Sequence, residues 1–505
     1  MQKTILLFGA GKSATILIEY LISEAATNNW RILIADVNKK QIESVITHST
    51  FAEAVEIDVT NNEQRSSLIK QADIVISLMP PALHFLIAKD CVTYNKNLLT
   101  ASYIDEQIKS LQPEIEKKGL LFLCEMGLDP GIDHMSAMQL IDSIKAKGGT
   151  IISFKSHCGG LVAPESDDNP WHYKISWNPR NVVMAGKSGA IYKTDGNIVK
   201  ENYEELFDVD RGIKISDLDN LSYYPNRDSL SYINLYHLET AETFIRTTLR
   251  HYEFMYGWKN LIELKLTDET IQYETDGLSL CNFFKAHLSN NGFGEWLKVK
   301  LVDRMDETKE LLDNLIKLMD TENEAKNEGQ KIPENIMLVD EEGDLRNLEV
   351  DDVKNKVTSV LANQMHVANI TLKQLFYLGM DDEKTIINKG KCSVADVLQF
   401  IIEKKLPLQP ADKDMVVMVH EITYKDANNI YNLQSSMIIK GENNLKTAMA
   451  KTVGLPLGIV VKLILNNSIQ LSGLHIPVVK EIYEPVLKEL KNFGISFKET
   501  VETIN

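Results

Sequence analysis

A short apolar run, Ile5-Leu6-Leu7-Phe8, breaks into Gly9-Ala10-Gly11-Lys12-Ser13-Ala14, and a second run, Ile32-Leu33-Ile34-Ala35, ends in Asp36. Few folds need that order. A glycine at the first position lets the chain turn sharply out of a strand. A glycine at the second lets backbone approach a pyrophosphate, and the small Ala14 lets the following helix pack closely on its strand. The N-terminus of that helix then offers unpaired N–H groups to phosphate. A carboxylate closing the second strand accepts hydrogen bonds from ribose hydroxyls and repels a 2′-phosphate. The pattern therefore predicts a Rossmann strand-turn-helix that holds a dinucleotide, NAD in preference to NADP. Lys39 and Lys40 follow closely enough to keep NADP possible.

With 505 residues, 44% of them apolar, the chain can build more than one core. Its net charge of −17 argues against nucleic acid or an anionic membrane surface as a partner, and any anionic ligand must be held by a few local cations. The start, Met1-Gln2-Lys3-Thr4-Ile5, does not read as a signal peptide, and no run has the length of a membrane span. Cys91, Cys124, Cys158, Cys281 and Cys392 have no metal-ligand spacing, so no metal is expected and reduced thiols in a cytoplasm are the simplest reading.

Short apolar strands alternate with helical stretches through the first part of the chain, as a doubly wound α/β sheet requires. Strands are expected at Val55–Asp58, Asp73–Leu78, Asn97–Thr100 and Leu120–Leu123. Ligands collect outside the carboxyl ends of such strands, which places Asp58, Leu78, Met79, Pro80, Ala101 and Ser102 along the crevice. The full division expected is a Rossmann domain over 1–126, a mixed α+β substrate-binding and dimerisation domain over 127–278 and 411–475, and an inserted all-α subdomain over 279–410. A C-terminal segment, 476–505, is expected to return to the Rossmann domain. Within the insert, Leu311, Leu312, Leu315, Ile316 and Met319 fall on one helical face, as do residues from Val353 to Leu378, with an acidic connector from Asp320 to Asp344 between them.

The densest stretch for chemistry is Glu125-Met126-Gly127-Leu128-Asp129-Pro130-Gly131-Ile132-Asp133-His134, where Gly and Pro fix an unusual path around Asp129. Asp129 is a candidate catalytic carboxylate, although a capping turn would look the same; Asp133 and His134 read as caps or ion partners. Adjacent Gly159 and Gly160 suggest backbone N–H groups open to a ligand, and the aromatics from Trp171 to Trp177 suggest a cover for a nicotinamide or substrate chain. Cys158 lacks a histidine base at a diagnostic spacing and reads as a small buried thiol. Arg227, Arg246 and Arg250 are the cations suited to clamp a carboxylate, since a guanidinium offers two parallel charge-assisted bonds.

Together these blocks resemble the glutamate-forming saccharopine dehydrogenases, nearly end to end. The resemblance includes Val75-Ile76-Ser77-Leu78, Thr100-Ala101-Ser102-Tyr103, the 127–134 block, Cys158-Gly159-Gly160-Leu161, Tyr224-Pro225-Asn226-Arg227-Asp228-Ser229, Thr248-Leu249-Arg250, and Ala448-Met449-Ala450-Lys451-Thr452-Val453-Gly454-Leu455-Pro456. It implies interconversion of saccharopine with glutamate and 2-aminoadipate 6-semialdehyde, by hydride transfer and imine hydrolysis, in a homodimer. It also implies substrate contacts from Ala101, Ser102, Asp129, Arg227, Thr248 and Arg250. Along the dinucleotide it places Gly9, Ala10, Gly11, Lys12, Asp36, Val37, Asp58, Leu78, Asp129 and Trp177. Asp36 resembles the animal, NAD-using branch, and the expected form is free-standing. Pro81, His157, Val162 and Thr247 depart from the family pattern, where an aromatic, Tyr, Pro and Gly are usual; this puts substrate preference in question. A carboxynorspermidine- or carboxyspermidine-type dehydrogenase is the alternative enzyme, but its partly cationic substrate calls for fewer arginines. A non-catalytic dinucleotide-binding regulator would have no reason to keep both arginine blocks.

Overall fold

The computed structural model describes residues 2–46, 49–207, 211–216, 218, 220–298, 335–339, 345–349 and 369–504. By internal contacts the chain divides into two units. The first contains Met1–Asp168, His172–Tyr256 and Leu406–Asn505; the second contains Asn169–Trp171 and Gly257–Lys405.

The first unit begins with β1 (Lys3–Phe8), β2 (Trp30–Asp36), β3 (Ala52–Glu56), β4 (Ile74–Ser77), β5 (Asn97–Thr100) and β6 (Leu121–Leu123), paired in parallel in the order β3-β2-β1-β4-β5-β6. Their apolar runs are continuous because both faces are covered: Ile5 and Leu7 enter one core, Leu6 and Phe8 the other. The strand order reverses between β1 and β4, and the Gly9 turn leaves the carboxyl end of β1 at that switch point, where open α/β sheets take ligands. Helix α1 (Thr15–Asn28) follows the turn, and α2 (Pro81–Thr93) follows β4 with Pro81 in its first turn, where a missing N–H is tolerated.

Helix α3 (Ile132–Ala146) leads into the second sheet of this unit. Its central strands are β7 (Thr150–Val162), β8 (Leu221–Pro225), β9 (Thr243–Arg250), β10 (Asp414–Lys425) and β11 (Ile430–Lys440). They run β8-β9-β7-β10-β11, with only β9 and β7 parallel among these neighbours. Successive side chains on a strand face opposite ways, and Thr248 is registered on Cys158. Arg246, Thr248 and Arg250 therefore share a face with Ser156, Cys158 and Gly160, while Thr247 and His157 share the other.

Helix α4 (Ala448–Leu465) starts where Thr447 accepts from the Ala450 N–H at 2.9 Å and the buried Asp414 carboxylate accepts from Ala448 and Met449 N–H at 2.6 and 2.9 Å. Contrary to the expectation that no run has the length of a membrane span, this helix has that length and apolar content, and it is mostly buried and packs along α1. A Cβ on Gly454 would stand 2.9 Å from the Leu17 nitrogen, and one on Gly458 would stand 2.5 Å from the Tyr20 ring, so both glycines set how closely the helices approach. Strand β12 (Gly473–His475) then adds beside β6 in the parallel sheet, and β13 (Lys498–Ile504) pairs with β11 at the edge of the mixed sheet. The chain thus returns to the Rossmann layer just before residue 476, and its last strand lies in the other sheet.

The second unit contains helices Leu280–Asn290 and Val394–Lys405. Gln272–Glu274 pairs antiparallel with Lys391–Ser393, and Asn335–Val339 with Leu345–Glu349. The helix expected at 311–319 lies outside the described residues, as does most of 353–378, of which 369–377 is helical. The insert expected to be all-α is therefore corrected to mixed: within the acidic stretch expected as a connector 335–339 is a strand paired with 345–349, and 391–393 pairs with 272–274.

Gly454→Ala gains about 1 kcal/mol of helix propensity, but the added methyl meets backbone that cannot swing aside, and overpacking typically costs about 1–3 kcal/mol. The expected outcome is a lower thermal midpoint than the parent chain, measured by calorimetry; a raised midpoint would show that α1 and α4 can separate freely.

Candidate active site

At the glycine turn, Gly9 takes a φ of 95°, and a Cβ there would lie 2.8 Å from the Leu78 carbonyl oxygen. Nothing lies within 4 Å of the Cβ position of Gly11, which leaves the backbone open to a ligand. Ala14 at the α1 N-cap supplies no side-chain hydrogen bond, so the helix start keeps donors for phosphate. Asp36 accepts from the Ala10 N–H at 2.8 Å through one carboxylate oxygen and from the Asn38 N–H at 3.1 Å through the other. Its carboxylate is thereby aimed at the turn. Val37 beside it is 67% exposed. Lys39 pairs with Glu43 at 3.9 Å. Asp58 is exposed and accepts from the Thr60 N–H and hydroxyl at 2.9 and 2.7 Å, bonds that lower its pKa. These residues fit a dinucleotide: the turn, the helix start and the Asp36 carboxylate are the parts that would hold pyrophosphate and ribose.

The second cluster grows from the ends of β5 and β6. A Cβ on Gly127 would stand 3.0 Å from the Ala101 side chain, and one on Gly131, at φ 147°, would overlap the Gly127 carbonyl. Both glycines are therefore required for the turn that presents Asp129, whose peptide bond to Pro130 is cis. Asp133 accepts from the Gly131 N–H at 2.5 Å, and His134 sits between Glu125 at 2.8 Å and the Tyr236 hydroxyl at 2.5 Å. They serve as cap and hydrogen-bond partners, as the sequence suggests.

Arg246 links this turn to the mixed sheet. Its Nη2 donates to Asp129 at 2.6 Å and to Asp133 at 2.7 Å, and its guanidinium lies 4.4 Å from the centre of the Tyr232 ring. The Tyr103 hydroxyl reaches Asp129 at 3.4 Å, and the Tyr103 ring carries Arg227 at 5.5 Å. Burial pushes the Asp129 pKa up to about 6, with Arg246 opposing the rise and Asp133 adding to it. Burial also acts to raise Asp133, but His134, Arg246 and the Gly131 N–H hold it below its ordinary value. Two carboxylates on one guanidinium are thus driven apart in acidity.

Further along the same face of β9 lies Arg250, 3% exposed. It donates to the Leu249 carbonyl at 2.7 Å and the Gly160 carbonyl at 3.5 Å, with the rings of Tyr173 and Phe254 each 5.4 Å from its guanidinium carbon. Its Nε has no hydrogen-bond partner. Among the described residues neither Arg250 nor Arg227 has a carboxylate partner. Thr248 stands between Arg246 and Arg250 on this face. Trp177 is half-buried and donates to the Tyr173 hydroxyl at 3.0 Å.

Ala101, Asp129, Arg227, Thr248 and Arg250 therefore gather around the site face of β9, with Ser102 beside Ala101. Gly9 and Leu78 meet at the dinucleotide turn, whose Ala10 is tied to Asp36. Two expectations need correction. Gly159 and Gly160 do not form an open cradle: they lie inside β7, registered on Val417 and Val416, and their missing side chains make room for Leu249 and Met449. Of the aromatics, Trp171 is buried with its N–H on the Gln374 carbonyl, and Tyr173 packs under Arg250, so neither is an open cover. Sequence reasoning placed Arg246 among possible clamps without a site role. Its spacing of two from Thr248 and four from Arg250 was the available signal, since those positions share a face on a strand. Cys158 is buried, which raises its pKa well above that of a free thiol.

Comparison with known proteins adds a lineage to this geometry. The saccharopine dehydrogenase NADP binding domain matches residues 5–123 and the saccharopine dehydrogenase C-terminal domain matches 127–495. The NADP-dependent, L-glutamate-forming saccharopine dehydrogenase of Saccharomyces cerevisiae is 30% identical over 502 residues, covering 99% of each chain. The alpha-aminoadipic semialdehyde synthase of Arabidopsis thaliana is 31% identical over 93% of this chain, and the mitochondrial enzyme of Bos taurus is 31% identical over 98%. This chain spans 41% and 47% of those two proteins. The apo structure of the Saccharomyces cerevisiae dehydrogenase superposes with a TM-score of 0.76 at 27% identity, covering 99% of this chain and 100% of the other. A switch-point dinucleotide turn, an arginine-bearing sheet face beside Asp129, and both family domains in sequence make this chain a member of the saccharopine dehydrogenase family.

Proposed function

We infer that this chain interconverts saccharopine and water with L-glutamate and 2-aminoadipate 6-semialdehyde, using NAD(P). The observation that carries the reading is Arg250, a buried guanidinium without a carboxylate partner among the described residues, on the same sheet face as Asp129. A buried charge is stable only when paired, and in a protein of net charge −17 a substrate with three carboxylates supplies the missing partners. Arg227, held over the Tyr103 ring, offers a second clamp.

A dinucleotide held by the Gly9–Gly11 turn and Asp36 would supply the hydride acceptor for the amine-bearing carbon of the substrate. The nitrogen's lone pair then forms a C=N bond, water adds to that carbon, and the C–N bond breaks to release aldehyde and amine. The protein's part is to align the substrate by Arg227, Arg250, Thr248 and Ser102 and to move protons. Asp129 is the proposed base for the amine proton and for the attacking water. With its pKa near 6 it is largely ionised at neutral pH and readily gives the proton back.

The proposed cofactor preference is NAD. The Asp36 carboxylate, pinned by two backbone N–H groups, suits ribose hydroxyls and opposes a 2′-phosphate. The fungal relatives carry NADP in their names, and a direct comparison of the two dinucleotides tests the preference. A homodimer and a cytoplasmic setting complete it, resting on the family resemblance and on five unpaired cysteines.

Initial rates of saccharopine-dependent reduction should be higher with NAD than with NADP, and Asp36→Ser should narrow the difference. Arg250→Ala is expected to lower kcat/KM for saccharopine by roughly 100-fold or more, the scale of a lost charge-assisted pair. Turnover that survives this change intact would remove the arginine clamp from the account.

The pH dependence gives a separate check. In saccharopine oxidation the substrate's own amine must lose its proton, which gives log kcat/KM against pH a slope of about one on the acid side. Protonation of Asp129 should steepen that slope to about two below pH about 6. Because the Arg246 charge opposes the rise of the Asp129 pKa, Arg246→Leu should move the break to higher pH. A profile that keeps one slope down to pH 5 in the parent chain would take the base role from Asp129.

A further inference from the structure

At the carboxyl ends of β4 and β5, His84 of α2 bridges two hydroxyls. Its Nδ1 lies 2.8 Å from the Ser77 oxygen and its Nε2 lies 2.8 Å from the Ser102 oxygen. Ser77 is 0% exposed and His84 4% exposed, whereas Ser102 is half-buried. We propose that His84 is a positioning residue that fixes the Ser102 hydroxyl as a hydrogen-bond donor toward a carboxylate of the substrate. The proposal rests on the reading of Ser102 as a substrate contact and adds the polarity of that contact.

The direction follows from proton accounting. A neutral imidazole has one N–H and one bare nitrogen. Ser77 has no side-chain partner except His84 among the described residues, and a buried hydroxyl proton with no acceptor is strongly disfavoured. Ser77 therefore donates to Nδ1, which places the ring proton on Nε2. Nε2–H then donates to the Ser102 oxygen, and the Ser102 proton is left for the open side. The opposite tautomer would make Ser102 an acceptor, suited to an ammonium group. Burial lowers the His84 pKa to about 4, so the ring stays neutral through the working pH range. The backbone of Ser102 is fixed independently, with its N–H on the Thr100 hydroxyl at 3.2 Å and its carbonyl accepting from the Glu125 N–H at 3.1 Å. Only the hydroxyl direction is left for His84 to set. The same polarity separates a tricarboxylate substrate from an amine-rich one, which Ser102 as an obligate donor would not favour.

The test is a double-mutant cycle together with a ligand-free measurement. Ser102→Ala should raise KM for saccharopine by roughly 10- to 100-fold, the range for a hydrogen bond to a charged group, with a smaller change in kcat. His84→Phe should raise KM by a similar factor, and the double variant should be no worse than Ser102→Ala alone. Ser77→Ala, which releases the ring to take either tautomer, should give an intermediate rise. Dinucleotide dissociation constants should change less than about twofold in all four, since a fold defect would alter these as well.

Long-range 1H–15N NMR of histidine-labelled, ligand-free protein should show His84 protonated on Nε2, and a mixture of tautomers in Ser77→Ala. Independent, multiplying KM effects of His84→Phe and Ser102→Ala would overturn the proposal, as would a parent spectrum with the proton on Nδ1. If the parent protein turned over no saccharopine, the functional reading would fail, and the NMR result would still decide the polarity of the relay.

Discussion

Arg246 is the point on which the site depends. It reaches from the mixed sheet into the turn after β6 and holds Asp129 and Asp133 on one nitrogen, with Tyr232 against its face. Removing three ionic groups from water is unfavourable, and such a cluster holds only when each lone pair and proton has a partner. Here the two carboxylates take further bonds from the Gly131 N–H and the Tyr103 hydroxyl. Loss of the guanidinium would leave two buried carboxylates facing each other, so the turn and the sheet face hold their relative position through this one side chain.

That constraint explains why the candidate base is poised rather than simply present. Asp133 takes the stronger set of hydrogen bonds and stays ionised, while Asp129, more loosely held and still 15% exposed at its side chain, is the one driven toward neutral pH. The cluster's geometry thus separates two chemically identical groups into an ionised anchor and the carboxylate proposed as base. Arg250 extends the same strand face without any such carboxylate among the described residues, and the contrast between two buried arginines, one doubly paired and one not, separates the cation that ties the turn to the sheet from the one proposed to clamp the substrate.

The dinucleotide half was legible in the sequence because it rests on local rules. Gly9 needs a positive φ, Asp36 needs only to end a strand, and the strands at 74–77, 97–100 and 121–123 follow from uninterrupted apolar runs. The substrate half was legible only in part, because its residues meet through register. Asp129 and Arg246 are far apart in the chain, and nothing local says that β9 lies beside β7 or that Gly127 rests on Ala101. The Gly159-Gly160 pair misled for the same reason: a ligand-cradling loop and a crowded strand interior both call for glycine, and only the neighbours Leu249 and Met449 distinguish them. His84 gave no signal, since its role depends on two hydroxyls brought together by separate strands.

The departures from the family pattern gain a physical sense from the same sheet geometry. His157 and Thr247 are registered opposite each other, and the imidazole Nδ1 lies 2.7 Å from the Thr247 hydroxyl, with Glu421 at 3.1 Å from Nε2. Where the resemblance leads one to expect Tyr and Gly, this chain has His157 and Thr247, and the two meet in one hydrogen bond. Both side chains are buried on the face away from Arg246, Thr248 and Arg250. They lie behind the site, on the strand face opposite its donors. Val162, at the end of β7, is buried and registered on Asp414, the residue that caps α4. Pro81 opens the helix that carries His84. Of the four differences it is the one on the helix whose ring is proposed to orient Ser102, so any shift in preference within this family fold is most directly sought at the start of α2.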